Sequence, residues 1–152
     1  MILTRSPETI GLAAEAVLAG ELVVMPTETV YGLACDATNP TAVTRVFSAK
    51  GRPNDHPVIV HILDPSWVER VAIIDDRVPL LAEHYWPGPL TIVLKRLDCI
   101  PSEISGGLST VALRVPNHPV ALSLIRACDR PLAAPSANSF GKLSPTRAED
   151  VD

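Results

Sequence analysis

Apolar positions recur along this chain in short blocks whose period switches from helical to extended and back. Ile10, Ala13, Ala14, Val17 and Leu18 fall at helical spacing behind Ser6-Pro7, a capping hydroxyl followed by a proline suited to a first turn, and Gly20 is a natural stop. Leu22 to Met25 is a continuous apolar run short enough for a buried strand. Asn39-Pro40 opens a second predicted helix, with Val43, Val46 and Phe47 on one face. Further strands are predicted at Val58 to Leu63, Leu90 to Leu94, Thr110 to Val115 and Leu132 to Ala134. Between them, Asp64-Pro65-Ser66 starts a short helix and Asp75 to Tyr85 holds another. Pro116-Asn117-His118-Pro119 leads into a helix ending near Cys128. Strands interleaved with helices predict an α/β sheet with covered faces. Near the end, Thr146 and Glu149 have the spacing of a capping box, yet the sequence stops at Asp152, barely a turn later. An isolated turn is unstable. The expectation is one domain over residues 1–152, shortened at its C-terminus.

Composition narrows the class. A chain of 152 residues can bury one real core, and its 15 prolines, mostly at element edges, argue for short elements with rigid connections. The net charge of −4 gives no footprint for bulk nucleic-acid binding, although it leaves room for a local basic patch. Cys35, Cys99 and Cys128 are odd in number and widely spaced, which reads as buried or free thiols in a reducing compartment. The N-terminal residues lack an apolar signal region, and no apolar run is long enough to span a bilayer. A cytoplasmic location without membrane attachment is expected.

The common nucleotide loops, GxxxxGK[ST] and a strand-linked GxGxxG, are absent, as is a GxSxG nucleophile elbow. His56, His61, His84 and His118 lack a paired metal-ligand spacing, so no metal site is expected. A nucleotide would therefore need a different phosphate cradle. Lys50-Gly51-Arg52 puts two cations on a glycine-containing turn, which suits phosphate oxygens or, equally, a solvated helix C-terminus. Thr27, Thr29 and Tyr31 alternate, so an extended segment would put them on one face, either for a small polar ligand or as the exposed side of an edge strand. Ser136-Ala137-Asn138 follows a buried strand, where α/β proteins place ligands and where turn chemistry also favours Ser and Asn. Arg114 lies inside an apolar strand and needs an anionic partner, a ligand carboxylate or a structural Asp or Glu. His61, at a strand end, reads as a core or edge histidine, and Trp86-Pro87-Gly88-Pro89 as a rigid turn with an aromatic core plug.

Together, the PTxTxYGL segment (Pro26 to Leu33), the KxR pair (Lys50, Arg52) and the SxN pair (Ser136, Asn138) resemble, in order and spacing, the YrdC-like L-threonylcarbamoyl-adenylate synthase family. The resemblance runs from about Gly20 onward and includes Pro57 to His61, Trp86 to Thr91 and Thr110 to Pro116. It implies a mixed, twisted sheet with helices on both faces around a concave basic pocket. Family members usually carry further C-terminal elements. The implied reaction joins L-threonine, bicarbonate or carbon dioxide, and ATP with Mg²⁺, releasing pyrophosphate. A downstream threonylcarbamoyl transferase complex then uses the adenylate to modify tRNA, and contact with tRNA itself belongs to the same expectation. The resemblance assigns Lys50 and Arg52 to the phosphates as the catalytic pair. It assigns Thr29, His61, Arg114 and Ser136 to threonine, with Arg114 facing the carboxylate. His56, Thr110, Asn138 and Ser144 fall on the nucleotide side, His56 standing where many relatives have asparagine. Two alternatives remain at this level, a double-stranded RNA or tRNA-binding module of the same fold and a carbamoyl-adenylate-forming module that uses carbamoyl phosphate.

Overall fold

The computed structural model describes residues 5–51, 53 and 55–151. Among them the helices are α1 (Pro7–Leu18), α2 (Pro40–Lys50), α3 (Val68–Val71), α4 (Arg77–Tyr85) and α5 (Pro119–Cys128). The strands are β1 (Val23–Pro26), β2 (Tyr31–Asp36), β3 (Ile59–His61), β4 (Ile92–Lys95), β5 (Thr110–Arg114) and β6 (Leu132–Ala133). They form one sheet in the order β1-β2-β6-β3-β5-β4. Neighbours are antiparallel except β3 and β5, which run parallel with His61 opposite Arg114. The sheet is mixed, as expected.

Local chemistry explains the helix starts. Ser6 and Thr9 cap α1 reciprocally, each side-chain oxygen accepting the other's backbone N–H, at 3.1 and 2.9 Å. Asn39 Oδ1 accepts from the Thr41 and Ala42 N–H groups at 3.0 and 3.2 Å and so fixes the start of α2. Helix α2 stops at Gly51, whose φ of 59° is left-handed and costs glycine little. The core lies at the sheet centre. Consecutive residues Val60 and His61 of β3, Leu113 and Arg114 of β5, and both residues of β6 are buried, so the middle strands are covered on both faces. Helices α1 and α5 pack on each other and lean on β1, while α2 packs on β2 and on a short 3-10 turn, Ser102–Ser105. Trp86 fills the core as expected and its indole N–H donates to the Leu90 carbonyl at 2.8 Å. Cys35 and Cys128 are buried and Cys99 is exposed, all three as thiols.

Three expectations need correction. Residues 27–30 form a tight turn and not an extended segment, so Thr27, Thr29 and Tyr31 do not share a strand face. The Thr27 hydroxyl causes this. It donates to the Val30 carbonyl at 2.7 Å and accepts from the Thr29 and Val30 N–H groups at 3.2 and 3.1 Å, giving the backbone a local alternative to the ladder. Strand β2 follows that turn where no strand was predicted. Its small residues Gly32, Ala34 and Cys35 hide the extended pattern, but they permit close packing. Finally, Thr146 and Glu149 form no capping box. A single 3-10 turn, Ala148–Asp150, starts after Arg147 without a side-chain cap.

Candidate functional site

Two strand ends supply the charged centre of the site. His61 closes β3 and Arg114 closes β5, and parallel register puts them side by side on one face. Arg114 is buried. Its Nε donates to the Gly88 carbonyl at 3.2 Å, and its Nη2 donates to Thr29 Oγ1 at 3.2 Å and pairs with Glu28 Oε1 at 2.7 Å. The turn over residues 27–30 thus folds across the sheet to meet a strand three places beyond β2 in the sheet order. Among the described residues, Nη1 of Arg114 makes no hydrogen bond, which leaves one edge of the guanidinium for an incoming anion. His61 Nδ1 is buried and has no hydrogen-bond partner among the described residues. Buried polar atoms are rarely left that way unless a ligand or water meets them.

The electrostatics follow from this packing. Burial pushes the His61 imidazolium down to about 4, the Arg114 charge adds to that, and the Glu28 charge and the Leu132 backbone pull weakly the other way. His61 is therefore a neutral imidazole at physiological pH. Burial acts to raise the Glu28 carboxyl, but the Arg114 hydrogen bond and charge, with backbone donors of Asn117 and of Glu28 itself, outweigh it and hold the group below its ordinary value. Glu28 is the functional candidate that sequence reasoning missed. The available signal was its place between Thr27 and Thr29, coupled with the need of Arg114 for an anion.

The second half of the site is the loop after β6. Strand β6 runs antiparallel to β3, so Ser136 to Asn138 stand beyond the end of β3 opposite to His61. The loop is held by β2 on one flank, where Leu33 N donates to Pro135 O and Ala137 N to Tyr31 O, each at 2.8 Å. Gly32 permits the approach. It bridges Ser136, and a Cβ there would lie 3.1 Å from the Ala134 side chain. On the other flank stands Lys50, buried, whose ammonium donates to the backbone carbonyls of Ser136 and Asn138. Asn138 Nδ2 donates to Ser139 O and Lys142 O at 2.8 and 2.9 Å, and its buried Oδ1 has no partner among the described residues.

Thr110 and His56 belong to this second half. Thr110 opens β5, about 13 Å along the strand from Arg114 at roughly 3.3 Å per residue. His56 is exposed, 2.8 Å from Asp55, with its ring edge-on to Phe140 at 5.3 Å between centroids. Ser144 is exposed next to Pro145, whose carbonyl accepts from Tyr31 N at 2.9 Å. Arg52 lies outside the described residues. Among the described residues no group of three His, Cys, Asp or Glu side chains could hold a metal ion. The geometry therefore has two parts, a cation–imidazole pair with an open hydrogen-bonding edge and a polar loop clamped by a lysine.

Comparison with known proteins identifies the family. The Sua5–YciO–YrdC family model, described as "Telomere recombination", matches residues 15–152. The threonylcarbamoyl-AMP synthase of Pyrococcus abyssi is 50% identical over 143 residues, covering 93% of this chain and 42% of the relative. That of Bacillus subtilis is 47% identical over 150 residues, covering 97% of this chain and 43% of the relative. The crystal structure of P. abyssi Sua5 complexed with L-threonine matches with a TM-score of 0.95 at 48% identity, covering 98% of this chain and 44% of that one. The chain thus spans less than half the length of these relatives. The family model extends over nearly the whole chain, and with it the turn, the two strand ends and the polar loop: the chain belongs to the Sua5–YciO–YrdC family.

Proposed function

We propose that this chain forms L-threonylcarbamoyl-AMP from L-threonine, bicarbonate or carbon dioxide, and ATP, releasing pyrophosphate. The observation that carries the reading is the His61–Arg114 pair at adjoining strand ends, each with a hydrogen-bonding atom left open. An α-amino acid fits such a pair. Its carboxylate takes the free edge of Arg114, and its hydroxyl or amine donates to Nδ1 of a neutral His61. Thr29 and Ser136 flank the same ligand, while Arg52, His56, Thr110, Asn138 and Ser144 serve the nucleotide. That relatives at 47–50% identity are named threonylcarbamoyl-AMP synthases, one of them solved with L-threonine, supports this reading.

The chemistry asks for alignment more than for a strong acid or base. The threonine amine adds to carbon dioxide, a C–N bond forms and a proton leaves to solvent, giving a carbamate. A carbamate oxygen attacks the α-phosphorus, the bond to the bridging oxygen of the β-phosphate breaks, and pyrophosphate departs. Two anions must meet, so fixed cations and hydrogen-bond donors lower the barrier by holding both in place. Mg²⁺ would arrive with ATP and would supply charge neutralisation at the phosphates. The adenylate then passes to a threonylcarbamoyl transferase complex for tRNA modification in the cytoplasm. Among the described residues no helix is long and apolar enough to cross a membrane.

The test is pyrophosphate release from MgATP and bicarbonate, with and without L-threonine, in wild type and Arg114→Ala. Threonine-dependent release is expected, with KM for threonine raised about tenfold or more in the variant, as for loss of a charged hydrogen bond. Release driven by carbamoyl phosphate without threonine would transfer the chain to the carbamoyl-adenylate class. RNA binding that ignores ATP and threonine, with no release, would favour the RNA-binding reading.

A further inference from the structure

We infer that Lys50 is a positioning residue: its buried ammonium clamps the Ser136–Asn138 loop in its working shape, and its effect on the reaction passes through that loop rather than through contact with phosphate. The inference deepens the proposed function and rests on it only for the choice of ligand.

Lys50 meets the loop at three places. Its Nζ donates to the carbonyls of Ser136 and Asn138, and its own carbonyl accepts from Phe140 N at 2.9 Å. The residue is only 5% exposed, so the ammonium has little water to fall back on. A buried ammonium is tolerated when oxygen acceptors surround it, and charge-assisted bonds to two carbonyls meet that need. The carbonyls gain equally. A buried backbone oxygen requires a donor, and the isolated bridge between Ser136 and Gly32 bonds through Pro135 and Ala137, so it supplies none to either carbonyl. Two of the ammonium's three N–H groups are committed to these carbonyls, so Nζ cannot swing out to a phosphate as a surface lysine does without stripping them of this donor.

The clamp also determines what the loop presents. Strand β2 holds one flank through Tyr31 and Leu33, and Lys50 holds the other. With the Asn138 carbonyl turned to Lys50 and Nδ2 bound to Ser139 and Lys142, the atom of Asn138 left open is Oδ1, buried and without a described partner. The lysine thereby sets the direction of a buried acceptor that the loop offers a ligand. Its charge favours anions nearby as a secondary effect, through distance and not through a bond.

The deciding experiment compares ligand-free wild type, Lys50→Met and Lys50→Gln by amide hydrogen exchange, together with L-threonine titration without nucleotide. Lys50→Met is expected to speed exchange over residues 136–142 at least tenfold, while β5 and α5 keep their protection. Threonine affinity falls at least fivefold although no phosphate is present, and Gln, a neutral donor, restores part of both. Unchanged loop protection and unchanged threonine affinity in Lys50→Met, with only ATP affinity lost, would overturn the inference. Should Lys50→Met fail to fold, the wild-type protein decides through the ¹⁵N resonance of Lys50 Nζ. Hydrogen-bond coupling to the two carbonyls that persists on adding ATP supports the clamp, and its loss on adding ATP refutes it. Should wild type bind no L-threonine, the functional reading fails, while exchange over residues 136–142 still decides the clamp.

Discussion

Glu28 and Arg114 show how much one buried pair controls. Their side chains are 19% and 9% exposed, and removing one partner leaves the other charged with little solvent to screen it. Glu28→Gln should therefore cost about 2 kcal/mol of stability, short of the 3–5 kcal/mol typical of fully buried pairs because Glu28 keeps some contact with water. Arg114→Ala should cost a similar amount. The double variant should fall clearly short of the sum, and urea denaturation of all four proteins checks this as a thermodynamic cycle. The need for such a partner is legible in the sequence, since a cation inside Val111 to Val115 must be neutralised by something. The choice of Glu28 is not legible, because it depends on a turn folding across the sheet. His61 reads as a core histidine, and it is one, being buried. What the sequence does not display is that its packing leaves Nδ1 open.

At the scale of elements, α2 matters most because it delivers Lys50 to the loop. Asn39→Ala removes the acceptor that holds the first N–H groups of α2 and should cost about 1 kcal/mol, read as a drop in melting temperature. Helix starts are the most legible part of this fold, because Ser6-Pro7, Asn39-Pro40 and His118-Pro119 each carry a cap or first-turn proline in the sequence itself. Strands are less so. The run Val58 to Leu63 yields only Ile59–His61 as ladder, since chain neighbours decide where pairing ends. Strand β2 escapes altogether, because the small residues Gly32, Ala34 and Cys35 mask its pattern and its extended form is imposed by β1 and β6 on either side. The order of strands, with β6 inserted between β2 and β3, is a long-range property that no local pattern encodes.

For the whole molecule, the buried imidazole links stability to pH. His61 has an ordinary value of 6.5 and a folded value of about 4. Between those values the unfolded chain binds a proton that the folded chain refuses, so stability is full above about 6.5 and falls as pH drops toward 4. A shift of that size corresponds to about 3 kcal/mol. His118, also lowered, adds to the same slope, and Glu28, held below its ordinary 4.5, extends the loss further into acid. Urea midpoints measured at pH 7.5, 6 and 5 should decline steadily, and His61→Gln should flatten most of that decline.

The contacts that build the site also join remote parts of the chain. Lys50 and Ser136 are 86 positions apart, and Thr29 and Arg114 are 85. Closing loops of that length before any contact rewards them is slow, whereas helices with local caps form early. Helical signal should therefore return ahead of amide protection in the Ser136–Asn138 loop when the chain refolds from urea, and stopped-flow circular dichroism beside pulsed hydrogen exchange would show the lag. A nascent chain emerging from the ribosome meets the same constraint. It can cap its helices locally, yet it has no site until residues near 138 are free to reach back to Lys50.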